Sequence, residues 1–456
     1  MAKPRHTIPV KVGDSLELTV ETQGSSGDGI CRHEGYTLFV PDGLPGDEVT
    51  GEIVKVTPRF GVVKVIERLQ PSPHRVEAPC PVFSECGGCK LQDLHYDQQM
   101  AFKVRVVTEA LQHIGRITPP AGIKTLPAER PYGYRNKGSF AVALKDKKLQ
   151  VGFYRQGTHE VADSDRCDIL LAPVNAVKEN IRGLVEKHKV LIYNEKWKKG
   201  FLRGIVVRHS ESTGETLIGF ITTKGRLPKP FLKELTNPEF LERYRVAGIV
   251  QNLNDKDTNV ILGNNTRALW GQDRFSDELD GLKFRLSLGS FLQVNSPQAV
   301  KLYEIITQWV TPGKGKVLDA YCGSGGIGLW LARRGLSVIG IEEFPDAIEN
   351  AKESAKLNGI ASCEFLQGTV EKHLPKIVTG ESIDTVIVDP PRKGCSEEVV
   401  EAILKIAPER IVYVSCNPAT LARDLSRMEP YHIGDLVVVD MFPQTQHVET
   451  AVLLRK

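Results

Sequence analysis

Cys416 follows directly on the apolar run Arg410-Ile411-Val412-Tyr413-Val414-Ser415 and precedes Asn417-Pro418. Two other strand-like runs end in reactive chemistry, one at Tyr321-Cys322-Gly323-Ser324-Gly325-Gly326 and one at Asp389-Pro390-Pro391. In a parallel α/β sheet such ends share one edge, where ligands bind. The thiol is therefore expected to face a cofactor. Glu449 stands just before a final apolar run, Ala451 to Leu454. A thiolate is a nucleophile and a positioned carboxylate is a base. Taken singly, though, a strand-end cysteine is commonly an inert thiol and a glutamate commonly solvated.

A second group of reactive residues is Cys80-Pro81-Val82-Phe83-Ser84-Glu85-Cys86-Gly87-Gly88-Cys89. Three thiolates in a short glycine-containing loop can converge on one metal centre. An iron-sulfur cluster and a four-cysteine zinc site are both open on spacing alone. The run Gly323-Ser324-Gly325-Gly326-Ile327-Gly328 matches the dinucleotide fingerprint, and Glu342 closes the next strand, where a carboxylate can accept ribose hydroxyls of any adenosine-type cofactor. The chain has no Gly-Lys-Ser/Thr phosphate loop.

The elements that must position these residues fall into three zones. With 456 residues the chain is long enough for about three domains. Short β-rich runs from Ile8 to Arg68, broken by turns such as Pro41-Asp42-Gly43, predict a small barrel. After Pro71-Ser72-Pro73 comes a middle zone mixing a helix-like stretch (Gln98 to Gly115) with strand-like ones (Gly204 to His209). From about Lys314 strands and helices alternate. The strands are Lys316 to Tyr321, Ser337 to Glu342, Cys363 to Gln367, Asp384 to Asp389 and Arg410 to Ser415; the helices include Pro345 to Asn358 and Glu397 to Ile406. This predicts a doubly wound, mostly parallel sheet. The boundaries expected are 1–70, 71–290 and 291–456.

Net charge is only +3, yet residues 103–208 hold 21 Lys and Arg against 10 Asp and Glu. Such a surplus reads as a polyanion-binding face, with Tyr132, Tyr134 and Trp197 as aromatics for stacking on bases. Met1-Ala2-Lys3-Pro4-Arg5-His6 shows no signal pattern, and no apolar run nears the roughly 20 residues of a membrane span. Nine cysteines without an export signal argue for reduced thiols. A cytoplasmic monomer that binds nucleic acid is expected.

Together, Ser415-Cys416-Asn417-Pro418, Asp389-Pro390-Pro391-Arg392, Ser290-Phe291-Leu292-Gln293-Val294-Asn295 and the segment from Asp440 to Thr450 resemble the RNA uracil-5-methyltransferase family over nearly the whole chain. The resemblance implies a Rossmann-like class I methyltransferase domain, an N-terminal TRAM barrel of the oligonucleotide-binding type, and a central α+β domain carrying an iron-sulfur cluster. It implies S-adenosylmethionine bound by Gln293, Tyr321, Glu342 and Asp389, with Phe291 near a flipped base. It makes Cys416 the nucleophile that adds to C6 of uracil and Glu449 the base that removes the C5 proton. Cys80, Cys86 and Cys89, with Cys167 as distant fourth ligand, would hold a 4Fe-4S cluster in preference to zinc. Ribosomal RNA is the expected substrate, with transfer RNA second. A neighbouring 5-methylcytosine enzyme would carry a cysteine where Pro390-Pro391 stand. Where some amino-group methyltransferases carry an aromatic, this chain has Arg392. A nicotinamide-dependent dehydrogenase would leave Cys416 and Glu449 without roles, and a non-catalytic iron-sulfur RNA-binding protein would leave the cofactor pocket unexplained.

Overall fold

The computed structural model describes residues 8–256, 260–311, 315–377 and 382–456. Met1 to His6 and Lys314 lie outside them. No described helix is long and apolar enough to cross a membrane.

Residues Ser15 to Gln70 form a six-stranded sheet. The strands Ser15–Thr19 and Thr22–Gln23 are nearly continuous in sequence yet pair at opposite ends of the sheet order. That closes the sheet into a small barrel around Leu38, Val40, Val49, Ile53 and Val63. Arg75 ties the barrel to the segment after it, its guanidinium bonding Asp47 at 2.5 Å and Asp93 at 2.5 Å.

The middle of the chain builds a seven-stranded sheet with Lys137–Lys145, Leu202–His209 and Thr216–Thr222 near its centre. Helix Ala172–Lys187 seals one face through Val174, Val177, Ile181 and Val185. The strongly apolar strands Leu202–His209 and Thr216–Thr222 are buried on both faces, as central strands must be. Helix Tyr96–Ala110, continued by a π turn at Leu111–Gly115, packs instead on the last sheet's core.

That last sheet has eight strands, in the order Cys363–Gln367, Val338–Glu342, Lys316–Ala320, Ile383–Val388, Arg410–Ser415, Glu449–Arg455, His432–Val439 and Lys124–Leu126. The first five are parallel, so their C-terminal ends share one edge. Glu449–Arg455 runs antiparallel between Arg410–Ser415 and His432–Val439. The eighth strand, Lys124–Leu126, comes from the middle of the chain. A hairpin, Arg274–Leu279 with Leu282–Ser287, adds Phe275, Phe284 and Leu286 to the core on the sheet's other face.

Two expectations change. Tyr134 is 2% exposed, packed beside Cys89, and cannot stack on a base; Trp197, 67% exposed, can. The basic surplus is also partly internal: Lys103, Lys178 and Arg208 are buried, because their aliphatic stems fill core space while their charges find oxygen partners inside the protein.

Candidate active site

The shared strand edge opens into a cleft of about 1400 Å³ whose lining includes Gln293, Tyr321, Glu342, Asp389, Cys416 and Glu449. Four of these occupy strand ends. Tyr321 follows Lys316–Ala320, Glu342 ends its strand, Asp389 follows Ile383–Val388 and Cys416 follows Arg410–Ser415. Glu449 arrives by the opposite route, as the first residue of a reversed strand. It is inside the strand and 3% exposed, whereas the sequence had suggested a residue just ahead of the strand.

The turn after Tyr321 needs its glycines. Gly323 stands at φ 54°, and a Cβ on Gly326 would come within 2.6 Å of the Tyr303 hydroxyl oxygen. Glu342 is fixed across this turn: its Oε2 accepts from the Gly323 amide at 3.0 Å and its Oε1 from the Phe344 amide at 2.9 Å. Carboxylate lone pairs remain for a ribose diol. The Gln293 side chain is 4% exposed, opens on the cleft, and comes from the segment that continues into the Asn295 cap of helix Ser296–Val310.

The electrostatics are dominated by clustered, buried acids. Burial, then the Asp389 charge, keeps Glu449 well above the ordinary carboxylate range. Burial raises Asp389 to about 7. Burial, then the charges of Glu449 and Asp389, push the Cys416 thiol to about 11, with Arg392 pulling it down. Two close carboxylates in low dielectric do not both ionise readily, so the site stores a proton.

Three contributors escaped the sequence reading. Asp319 is 1% exposed, only the Gly328 amide among the described residues lies near enough to oppose the loss of water around its carboxyl, and burial, then the Asp389 charge, lifts it to about 8. An acid inside an apolar strand beside the glycine turn was the available signal. Phe344, 67% exposed two residues past Glu342, offers a flat face to the cleft. His447 takes a hydrogen bond from the Arg392 guanidinium at 3.1 Å, and burial with that cation holds it at about 4, so it is neutral. Phe291, 60% exposed on the lip, is free to meet a base.

The other cysteines sort clearly. Cys31, Cys322 and Cys395 are buried, and Cys363 is partly so. Cys89 and Cys167 pack with Phe83, Tyr132, Tyr134 and Ile169, and Cys80 and Cys86 lie near enough to act on both electrostatically. Burial, then neighbouring thiols, raises Cys167 to about 12. Among the described residues no three His, Cys, Asp or Glu side chains close on a single metal ion. The donor set is nonetheless all thiol, with none of the carboxylates that hard cations take.

A parallel sheet with a glycine turn, strand-end acids and this edge cleft defines a Rossmann-like domain built to bind an adenosine-type cofactor. A family model described as tRNA (Uracil-5-)-methyltransferase matches residues 265–456, and a TRAM domain model matches residues 9–64. An uncharacterized RNA methyltransferase of Halalkalibacterium halodurans is 40% identical, over 99% of this chain and 99% of its own. One from Clostridium acetobutylicum is 39% identical over 98% of each chain. The crystal structure of Pyrococcus abyssi tRNA (uracil-54, C5)-methyltransferase in complex with S-adenosyl-L-homocysteine superposes with a TM-score of 0.79 at 30% identity, covering 96% of this chain and 99% of that one. The chain belongs to the RNA uracil-5-methyltransferase family. The dehydrogenase and non-catalytic readings are set aside with it.

Proposed function

We propose that the enzyme methylates C5 of a uridine in large-subunit ribosomal RNA through a covalent bond between Cys416 and C6 of the base. The observation that carries this reading is the meeting of Cys416 and Glu449 in the cleft that also holds Gln293, Tyr321, Glu342 and Asp389. S-adenosylmethionine supplies an electrophilic methyl group when bound there. Glu342 accepts its ribose hydroxyls, while Gln293, Tyr321 and Asp389 hold the rest of the cofactor.

The Cys416 thiol first gives its proton to solvent; the thiolate then adds to C6, the S–C6 bond forms and the C5–C6 π pair moves toward C5 and O4. C5 then takes the methyl group, and the electron pair of the broken methyl–sulfur bond stays on the donor sulfur. The Glu449 carboxylate accepts the C5 proton. The C5–H pair rebuilds the C5–C6 double bond as the C6–S bond breaks, returning the thiolate. Burial and the Asp389 charge hold Glu449 well above the ordinary carboxylate range, so it accepts the C5 proton from its ionised form, with the proton that the acid pair stores residing on Asp389 at that step. Chemistry on a ring carbon needs the base unstacked into the cleft, with Phe291 at its lip and the exposed cations of the middle sheet on the phosphates.

Cys80, Cys86, Cys89 and Cys167 hold a 4Fe-4S cluster that folds the loop. The units are 1–70, 71–290 and 291–456, the second lending the third its strand Lys124–Leu126 and the hairpin at 274–287, and the enzyme works as a cytoplasmic monomer. The four-thiol set beside a TRAM module supports ribosomal RNA. The Pyrococcus abyssi enzyme acts on transfer RNA, which makes that the second reading. Radiolabelled methyl transfer to unmodified ribosomal and transfer RNA, with mapping of the product nucleotide, decides between them. Label on transfer RNA alone overturns the first.

A further inference from the structure

The segment Asp440 to His447 joins strand His432–Val439 to strand Glu449–Arg455 and so delivers Glu449 to the cleft. It is anchored from outside the catalytic sheet. The amides of Lys90 and Leu91, the two residues after Cys89, both donate to the Gln444 carbonyl, at 3.2 and 3.1 Å. The side chain of Gln99, on helix Tyr96–Ala110, closes the same junction: its Nε2 donates to Gln444 Oε1 at 2.9 Å and to the carbonyls of Leu91 at 2.8 Å and Leu94 at 2.9 Å. Its Oε1 accepts from the Gln444 amide at 3.1 Å. Tyr134, packed beside Cys89, donates to the Pro443 carbonyl at 3.1 Å.

Both glutamines are buried, at 1% and 2% exposure. Gln444 also stands at φ 68°, a left-handed conformation that a non-glycine residue keeps only when its surroundings impose it. At the far end of the segment His447 meets Arg392 and lines the cleft. The cysteine loop and Gln99 are thus bonded to Gln444, five residues ahead of Glu449 in the chain.

We propose that Gln99 and the Cys80–Cys89 loop position Glu449 through Gln444, so that the cysteine loop governs proton removal and product release and not RNA docking or thiol addition. This rests on Glu449 being the proton acceptor. Cys416 comes from the end of the neighbouring strand Arg410–Ser415, and none of the bonds made to Gln444 reaches it, so the two halves of the reaction respond differently. Displacing a catalytic group by a fraction of an ångström to an ångström costs about 10- to 100-fold in its step.

The test uses the full-length enzyme and its RNA substrate, with formation and decay of the covalent complex measured by quenching onto denaturing gels. Gln99→Met keeps the volume and removes the hydrogen bonds. Gln444→Gly keeps the backbone groups and frees the left-handed residue. Cys89→Ser attacks the loop itself. The expected result is unchanged formation rate and KM for RNA, decay slowed about 10- to 100-fold, and accumulation of the complex. Slowing of both phases together, or unchanged decay in Gln99→Met and Gln444→Gly, overturns the proposal. If Gln99→Met unfolds early in a thermal scan, Gln444→Gly decides alone. Glu449→Gln runs in parallel. Failure of that variant to accumulate complex sinks the proposed function, whereas accumulation there with normal decay in Gln99→Met sinks only this inference.

Discussion

Cys416 and Glu449 meet because one strand is reversed. Ser415 faces Thr450 across the antiparallel pair, so the residue after the first and the residue before the second share a corner of the sheet. Residues far apart in sequence are thus joined by a single register, and a one-residue slip would turn Glu449 to the opposite face.

Replacing the thiol removes the nucleophile and little else. Cys416→Ala should lower methyl transfer by about four to six orders of magnitude, the usual consequence of deleting a nucleophile. The thermal unfolding midpoint should stay at the parent value, because the side chain is only half-buried. Label incorporation near the parent rate would exclude the covalent route.

Arg392 is the cation that opposes the upward shift of Cys416. Near neutral pH the site is mostly thiol, and alkylation by iodoacetamide should accelerate as pH rises toward about 11. In Arg392→Met the whole profile should move to higher pH. A profile that stays in place, or moves down, would show that the guanidinium does not act on the sulfur.

Asp319 gives a stability signature. Its folded pKa of about 8 lies above the ordinary 3.8, so the folded state favours the protonated acid. Below about pH 4 both states are protonated and nothing is lost; from there to about pH 8 the unfolded chain releases its proton and stability falls. Asp319→Asn should therefore unfold at a higher temperature than the parent at pH 8, by about 1 °C for each 1 kcal/mol in a chain of 456 residues. The gap should close near pH 4. Scanning calorimetry across that range checks it, and a variant less stable than the parent at pH 8 contradicts it.

The metal assignment is decided by assay. Enzyme purified without oxygen should contain iron and acid-labile sulfide in equal amounts, as a cubane cluster requires, and serine at Cys80, Cys86, Cys89 or Cys167 should abolish both. Stoichiometric zinc without sulfide would replace the cluster with a single ion.

Much of this was readable from the amino-acid order. The strands Ile383–Val388 and Arg410–Ser415 fall where apolar runs end in turn residues, because a parallel strand buried on both faces is a simple local signal. What the order hid was non-local. Lys124–Leu126 is three residues long, too short for any periodicity, and becomes a strand only against Val437–Val439. Tyr134 looked like a surface aromatic because basic neighbours surround it, yet its ring fills the space beside Cys89. Asp319 was masked by the apolar residues on either side. The bond from Gln99 to Gln444 spans 345 positions, and no local pattern encodes it.

The borrowed strand Lys124–Leu126 also limits how the molecule can be taken apart. A fragment beginning at residue 291 would leave Val437, Val438 and Val439 with bare backbone along an apolar border, an invitation to pair with other copies. The catalytic half is thus finished only by a scrap of chain made much earlier, and truncation should yield a sticky, self-associating product instead of a minimal enzyme.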